Sequence, residues 1–189
     1  NGIECGGVKA GISGHKSNQM LARLARDVLA QKPTVMTLSC GVNDVWHGAR
    51  GVPLPAFQTN ITTIIDQAQS AGVQVVILTA TMIKEDPENE ANAQLAGYND
   101  FLRAIAAEKQ CLLADVSMDM LDHVKTARTG GNMQNTLTVD GVHMNPQGNR
   151  LARSQHRPGA QGQTTSHYTA GGCERHSPAV ALASIKWNW

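Results

Sequence analysis

Aromatic residues are scarce: two Phe, two Tyr and three Trp, 4% of 189 residues. That scarcity argues against a long aromatic platform for extended sugar chains. No charge of one sign dominates, since 16 Lys and Arg face 15 Asp and Glu for a formal net charge of +1. Neither a nucleic-acid partner nor a membrane surface is indicated. No apolar run approaches the roughly 20 residues that span a bilayer, so no membrane insertion is expected. Cysteine is limited to Cys5, Cys40, Cys111 and Cys173, with no C-x-x-C pair, which argues against a zinc centre or a disulfide framework. Cys40 and Cys111 border apolar runs and read as buried thiols, not nucleophiles. No cofactor and no metal are expected. The chain begins at Asn1, without Met and without a basic start followed by an apolar run, so a processed chain or a fragment is expected.

What is present is an ordinary globular composition, 41% hydrophobic, sufficient for one domain with a sizeable core. Apolar, β-rich runs alternate with amphipathic stretches. Ile3 to Val8 reads as a short strand, and Thr34 to Cys40 as a strand buried on both faces. Val73 to Thr79 is the clearest strand, and Cys111 to Asp115 is another. Helices are expected from Ser17 or Asn18 to Pro33, from Leu54 to Ala71, from Asn89 to Lys109, from Met118 to Thr126, and from Pro146 onward. This alternation indicates an α/β fold with a parallel sheet covered by helices on both faces. In such folds the ligand lies at the carboxyl ends of the strands.

The pattern fails after Leu151-Ala152. From Arg153 to Pro178 there is no Leu, Ile, Val, Phe, Met or Trp, although the helix begun at Pro146 should continue with apolar residues. The break falls inside a helix and not at a linker, which favours a reading-frame change over a natural tail. Residues 1–152 are therefore expected to form the domain, and residues 153–189 an aberrant, disordered tail.

The stretch with most chemical content is Thr138-Val139-Asp140-Gly141-Val142-His143-Met144-Asn145-Pro146. Asn145 is a good helix cap and Pro146 a good first helical residue, so Asp140 and His143 fall in the loop before a helix. There a carboxylate can orient an imidazole and stabilise its protonated form, as a general base in acyl transfer requires. Two further turns lie on the same edge: Gly11-Ile12-Ser13-Gly14 and Gly41-Val42-Asn43-Asp44. Asn43 can supply a side-chain N–H, and Gly14 a backbone N–H, to a tetrahedral oxyanion.

These three elements, in this order, resemble the SGNH hydrolases, also called the GDSL family of esterases and lipases. Gly14 matches the glycine of the second block, Asn43 the asparagine of the G-x-N-D block, and Asp140 and His143 the D-x-x-H block. The resemblance spans roughly Ile12 to Asn149. It implies a flavodoxin-like three-layer α/β/α fold and a serine ester hydrolase with His143 and Asp140 as catalytic residues and Asn43 and Gly14 as the oxyanion hole. Substrates would be carboxylic esters of small molecules or carbohydrates. Asp44, Trp46 and His47 are candidates to line the pocket, and the short loop around them suggests a shallow site for a small acyl group such as acetyl.

The first block of that family, Gly-Asp-Ser at the end of the first strand, has no counterpart in the 189 residues. Ser13, Ser17 and Ser39 are poor substitutes, so a truncated copy lacking its nucleophile and its central first strand is expected, inactive and unstable by itself. Two other classes compete: a non-catalytic binding module on the same fold, and a metal-dependent phosphoesterase using Asp44, His47, Asp140 and His143.

Overall fold

The computed structural model describes residues 7–154 and 182–185. Among the described residues five strands, all parallel, form one sheet: β1 (Gly7–Lys9), β2 (Val35–Ser39), β3 (Gln74–Leu78), β4 (Leu112–Ala114) and β5 (Leu182–Ile185). Six α-helices accompany them: α1 (Ser17–Asp27), α2 (Val42–Trp46), α3 (Leu54–Ser70), α4 (Glu90–Glu108), α5 (Val116–Thr129) and α6 (Pro146–Ser154). A 3-10 turn at Leu29–Gln31 closes the segment expected to be the end of the first helix. Strand β1 begins within the stretch expected to be a strand, and residues 3–6 of that stretch lie outside the described residues.

The spatial order is β1-β5-β2-β3-β4. A flavodoxin-type sheet runs 2-1-3-4-5, so β5 stands in the slot of the first strand, between β1 and β2. This corrects the expectation of an open middle. Leu182 pairs with Gly7 on one side and with Val35 on the other, and Ser184 with Lys9 and Thr37. The remainder of the expected tail, 155–181 and 186–189, lies outside the described residues.

Alternation along β3 divides the core in two. Val75 and Ile77 join Leu24, Phe57, Ile61, Ile65, Tyr98 and Leu102 from α1, α3 and α4. Val76 and Leu78 turn the other way, toward Met120 and Val124 of α5 and the partly buried Leu151 and Ala152 of α6. Strand β2 is buried on one face only: Met36 and Leu38 are buried, while Val35, Thr37 and Ser39 are half-covered. The double burial expected for it is therefore not found. Leu151 and Ala152 are the last apolar side chains that the described part of α6 brings to that side.

Local signals place the helix starts well. Asn89 accepts from the Ala91 amide at 3.0 Å, and Asn145 accepts from Gln147 and Gly148 at 2.8 and 2.9 Å, fixing the start of α6. Helix α1 starts differently. Its Ser17 hydroxyl is directed outward to Asp44, and Asp44 caps the Ser17 amide from another helix.

Candidate active site

Three segments meet the edge of the sheet where the strands end. The first is the turn after β1, where Gly14 has φ +76 and nothing within 4 Å of an added Cβ. Glycine is required there by backbone conformation, because the left-handed region is unfavourable for residues with a Cβ, and the space around it is open.

The second segment is α2, a five-residue helix directly after β2 where the sequence suggested only a turn. It carries Asn43, which is 2% exposed and donates from Nδ2 to the His15 carbonyl at 3.1 Å. That bond ties Asn43 to the residue following Gly14, so the segments that carry the two expected oxyanion donors are joined. Asp44, expected near the pocket, is turned into the protein and is also 2% exposed. Its Oδ1 accepts from the Ser17 amide at 3.0 Å and the Ser17 hydroxyl at 2.6 Å, and its Oδ2 from the Cys40 thiol at 3.3 Å. Asn60 donates to the same Ser17 hydroxyl at 3.0 Å. A carboxylate already filled by protein donors does not line an open pocket, so this corrects the expectation for Asp44. The same cluster disposes of Ser17 as a nucleophile and agrees with the reading of Cys40 as a buried thiol. Ser17 is buried and committed to Asp44, and the Cys40 thiol is pushed well above its ordinary value by burial and by the Asp44 charge.

The third segment is the loop from Thr136 to Asn145. Thr138 and Met144 form an antiparallel bridge, and the Val139 amide donates to the His143 carbonyl at 2.8 Å, so residues 139–143 form a closed turn. Within it Asp140 Oδ1 accepts from the amides of Val142 and His143 at 3.0 and 2.8 Å. Asp140 Oδ2 meets His143 Nδ1 at 2.5 Å. The Asp140 carboxyl is held down to about 2, first by the His143 amide and then by the His143 ring. It is therefore ionised at neutral pH and can only accept. His143 Nδ1 must be the donor, which puts the lone pair of the neutral ring on Nε2.

Trp46 joins the second and third segments. Its ring lies edge-on to His143, centroids 6.4 Å apart at 68°, and stacks on His47 at 6.4 Å. Trp46, 44% exposed, therefore stands beside His143 with an open face, and His47 lies against Trp46. A separate cavity of about 310 Å³ between α4 and α5, lined by residues including Leu95, Arg103 and Met118, contains none of the expected site residues.

The sequence of this chain matches the GDSL-like Lipase/Acylhydrolase family over residues 5–151. It is 24% identical to the acetylxylan esterase of Geobacillus stearothermophilus over 126 residues, 63% of this chain and 58% of that protein. It is 26% identical to esterase TesA of Pseudomonas aeruginosa over 136 residues, 72% of this chain and 60% of that protein. The chain thus spans about three fifths of the length of these curated relatives. Among solved structures, the acetyl xylan esterase AlAXEase superposes with a TM-score of 0.73 at 31% identity, covering 77% of this chain and 76% of that one. Axe2, an acetylxylan esterase from Geobacillus stearothermophilus, shares the fold with a TM-score of 0.68 at 22% identity, covering 77% and 67%. Axe2 has also been solved as catalytic mutants in which a serine, an aspartate or a histidine is replaced by alanine.

Proposed function

This chain belongs to the GDSL-like Lipase/Acylhydrolase family, and from that premise we propose that its residues supply the general base and the oxyanion hole of a carboxylic ester hydrolase. His143 takes the proton of a serine hydroxyl on Nε2 as that hydroxyl attacks the ester carbonyl, and returns it to the leaving alcohol. Asp140 keeps the ring in the required tautomer and stabilises the imidazolium. The second Nδ2 hydrogen of Asn43 and the Gly14 amide receive the negative charge that develops on the carbonyl oxygen. The observation that carries this reading is the 2.5 Å contact between Asp140 Oδ2 and His143 Nδ1 on a turn whose histidine stands against the Trp46 ring of the Asn43 helix.

No Gly-Asp-Ser occurs in these 189 residues, so residues 1–189 alone are expected not to turn over esters. Acetyl esters, including those of sugars, are the favoured substrates. The named activity of the acetylxylan esterase relatives supports this, as does the exposed Trp46 beside the half-exposed His143. The test is a series of acetyl, medium-chain and long-chain esters on a form extended at its N-terminus by a strand ending in Gly-Asp-Ser, with Leu182–Ile185 removed so that the added strand can take the slot of β5. A preference for acetyl is expected, and a preference for long acyl chains would overturn the substrate class. The absence of Gly-Asp-Ser from the sequence favours one alternative, a non-catalytic binding module. Mass spectrometry of the protein from its natural source separates the two, because peptides upstream of Asn1 that contain Gly-Asp-Ser support the enzyme.

A further inference from the structure

Glu85 lies in the loop after β3, 51 to 53 residues from the segment that it binds. Its side chain is 3% exposed, yet it reaches into the base of the loop that carries Asp140 and His143. Oε1 accepts from the Thr136 amide at 2.6 Å, the Thr136 hydroxyl at 2.8 Å and the Leu137 amide at 3.0 Å. Oε2 accepts from the Thr138 hydroxyl at 2.5 Å, and that hydroxyl in turn accepts from the Gly141 amide at 3.0 Å. Gly141, at φ +92, rests on the backbone of Lys84. An added Cβ would come within 2.8 Å of the Lys84 Cα, so no side chain fits there.

The Lys84-Glu85 pair is itself unusual. Both residues are in the left-handed region, at φ 60 and 46, a conformation that persists in residues with a Cβ only when the surroundings over-determine it. Arg128 supplies part of that constraint, donating to the Glu85 carbonyl at 3.1 Å and to Asp86 Oδ1 at 3.0 Å. Burial pushes the Glu85 carboxyl up, but the hydrogen bonds from Thr138, Thr136 and Leu137 outweigh it and hold the group below its ordinary value. At neutral pH Glu85 is therefore a pure acceptor, suited to gathering several donors at one point.

The bonds of Asp140 all lie within its own turn, to Val142 and His143. They fix the shape of the turn but not its place on the domain. We propose that Glu85 is the positioning residue of this site: through Thr138 and Gly141 it fastens the Asp140–His143 turn to the sheet and holds His143 where the oxyanion donors are. Glu85 touches no reacting atom. The proposal rests on the hydrolase reading for the purpose of the turn, while the fastening itself is a property of the fold.

The test is amide hydrogen exchange on the full 189-residue chain and on Glu85→Ala and Thr138→Val. Protection at Gly141, Val142 and His143 should fall at least about tenfold further than protection at Val75 and Ile77 of β3, the pattern of local opening. Glu85→Gln, which keeps one acceptor oxygen for Thr136 and Leu137, should restore part of that loss. If Glu85→Ala fails to fold, Thr138→Val decides, since it removes the relaying hydroxyl and keeps the branched shape. Turn amides that lose no more protection than those of β3 would make Glu85 merely a stabiliser of the fold and overturn the proposal. No ester is hydrolysed in this measurement. Selective loosening of the turn, together with a serine-bearing form that fails to hydrolyse esters, would leave the fastening intact and sink only the hydrolase reading.

Discussion

The Gly14–Asn43 half of the site and the Asp140–His143 half are each secured by a buried carboxylate, but in opposite ways. On the first half the carboxylate is Asp44, the neighbour of Asn43 in α2, and it grips Ser17 at the start of α1. Two helix starts are thereby locked together, and Asn43 moves only if the helices move. On the second half the candidate residues stand on an irregular turn with half-exposed side chains, His143 at 37% and Asp140 at 50%. Their anchor, Glu85, comes from a distant loop and acts through a relay of two residues. The proposed oxyanion donors are thus part of the scaffold, whereas the proposed base is an attachment to it. Damage to the first half should appear as lost stability, and damage to the second as lost order in one turn.

The sharpest contrast is expected in catalysis by the serine-bearing form. His143→Ala removes the base and should lower kcat by about 10⁶, the scale seen when such a histidine is lost. Asn43→Ala removes one oxyanion donor and should cost about 10²–10³ in kcat with less change in KM. Steady-state kinetics on an acetyl ester distinguishes them. An Asn43→Ala enzyme within threefold of its parent would take Asn43 out of the oxyanion hole.

Stability supplies the next contrast. Asp44→Ala leaves the buried Ser17 amide and hydroxyl and the Cys40 thiol without an acceptor, and each unsatisfied buried group costs about 1–3 kcal/mol. Denaturant unfolding should show a loss of at least about 3 kcal/mol for Asp44→Ala. A loss below about 0.5 kcal/mol would mean that Asp44 does not lock the helices, and the comparison of the two halves would collapse.

The smallest effect concerns acid. The Asp140 carboxyl is depressed to about 2 in the folded protein, below its ordinary value near 3.9. A depressed folded value stabilises the protein above the unfolded value and ceases to do so as pH falls through the folded one. The stability gap between the parent and Asp140→Asn should therefore be fully present above about pH 4 and shrink as pH falls toward 2. Denaturation midpoints measured across that window check it, and a gap independent of pH would contradict the Asp140–His143 bond.

Much of the first half was legible in the sequence, because Gly14 follows the short, Gly-interrupted run from Ile3 to Val8 and Asn43 follows the apolar run from Thr34 to Cys40. The Asp140–His143 pair was legible for a similar local reason, since Asn145 and Pro146 announce the helix that ends its loop. Helix α2 was not, because five residues are too few to show a period of 3.6. Asp44 was misplaced for the same reason: in a turn its carboxylate would face solvent, and only the helix turns it inward. Glu85 gave no signal, since its partners are 51 to 53 residues away and nothing in Lys84-Glu85-Asp86 suggests a left-handed pair. Strand β5 was hidden by the stretch before it, whose composition suggested a tail with no strand to contribute.

The most direct test of the site as a hydrolase is to measure hydrolysis of a short acetyl ester by three proteins: residues 1–189, the same chain extended by a strand ending in Gly-Asp-Ser with Leu182–Ile185 removed, and that extended chain with the added serine changed to alanine. Turnover is expected in the second alone. Equal turnover in residues 1–189 would place the nucleophile among the serines already present, and a folded extended chain without turnover would contradict the assignment of His143, Asp140, Asn43 and Gly14 to ester hydrolysis.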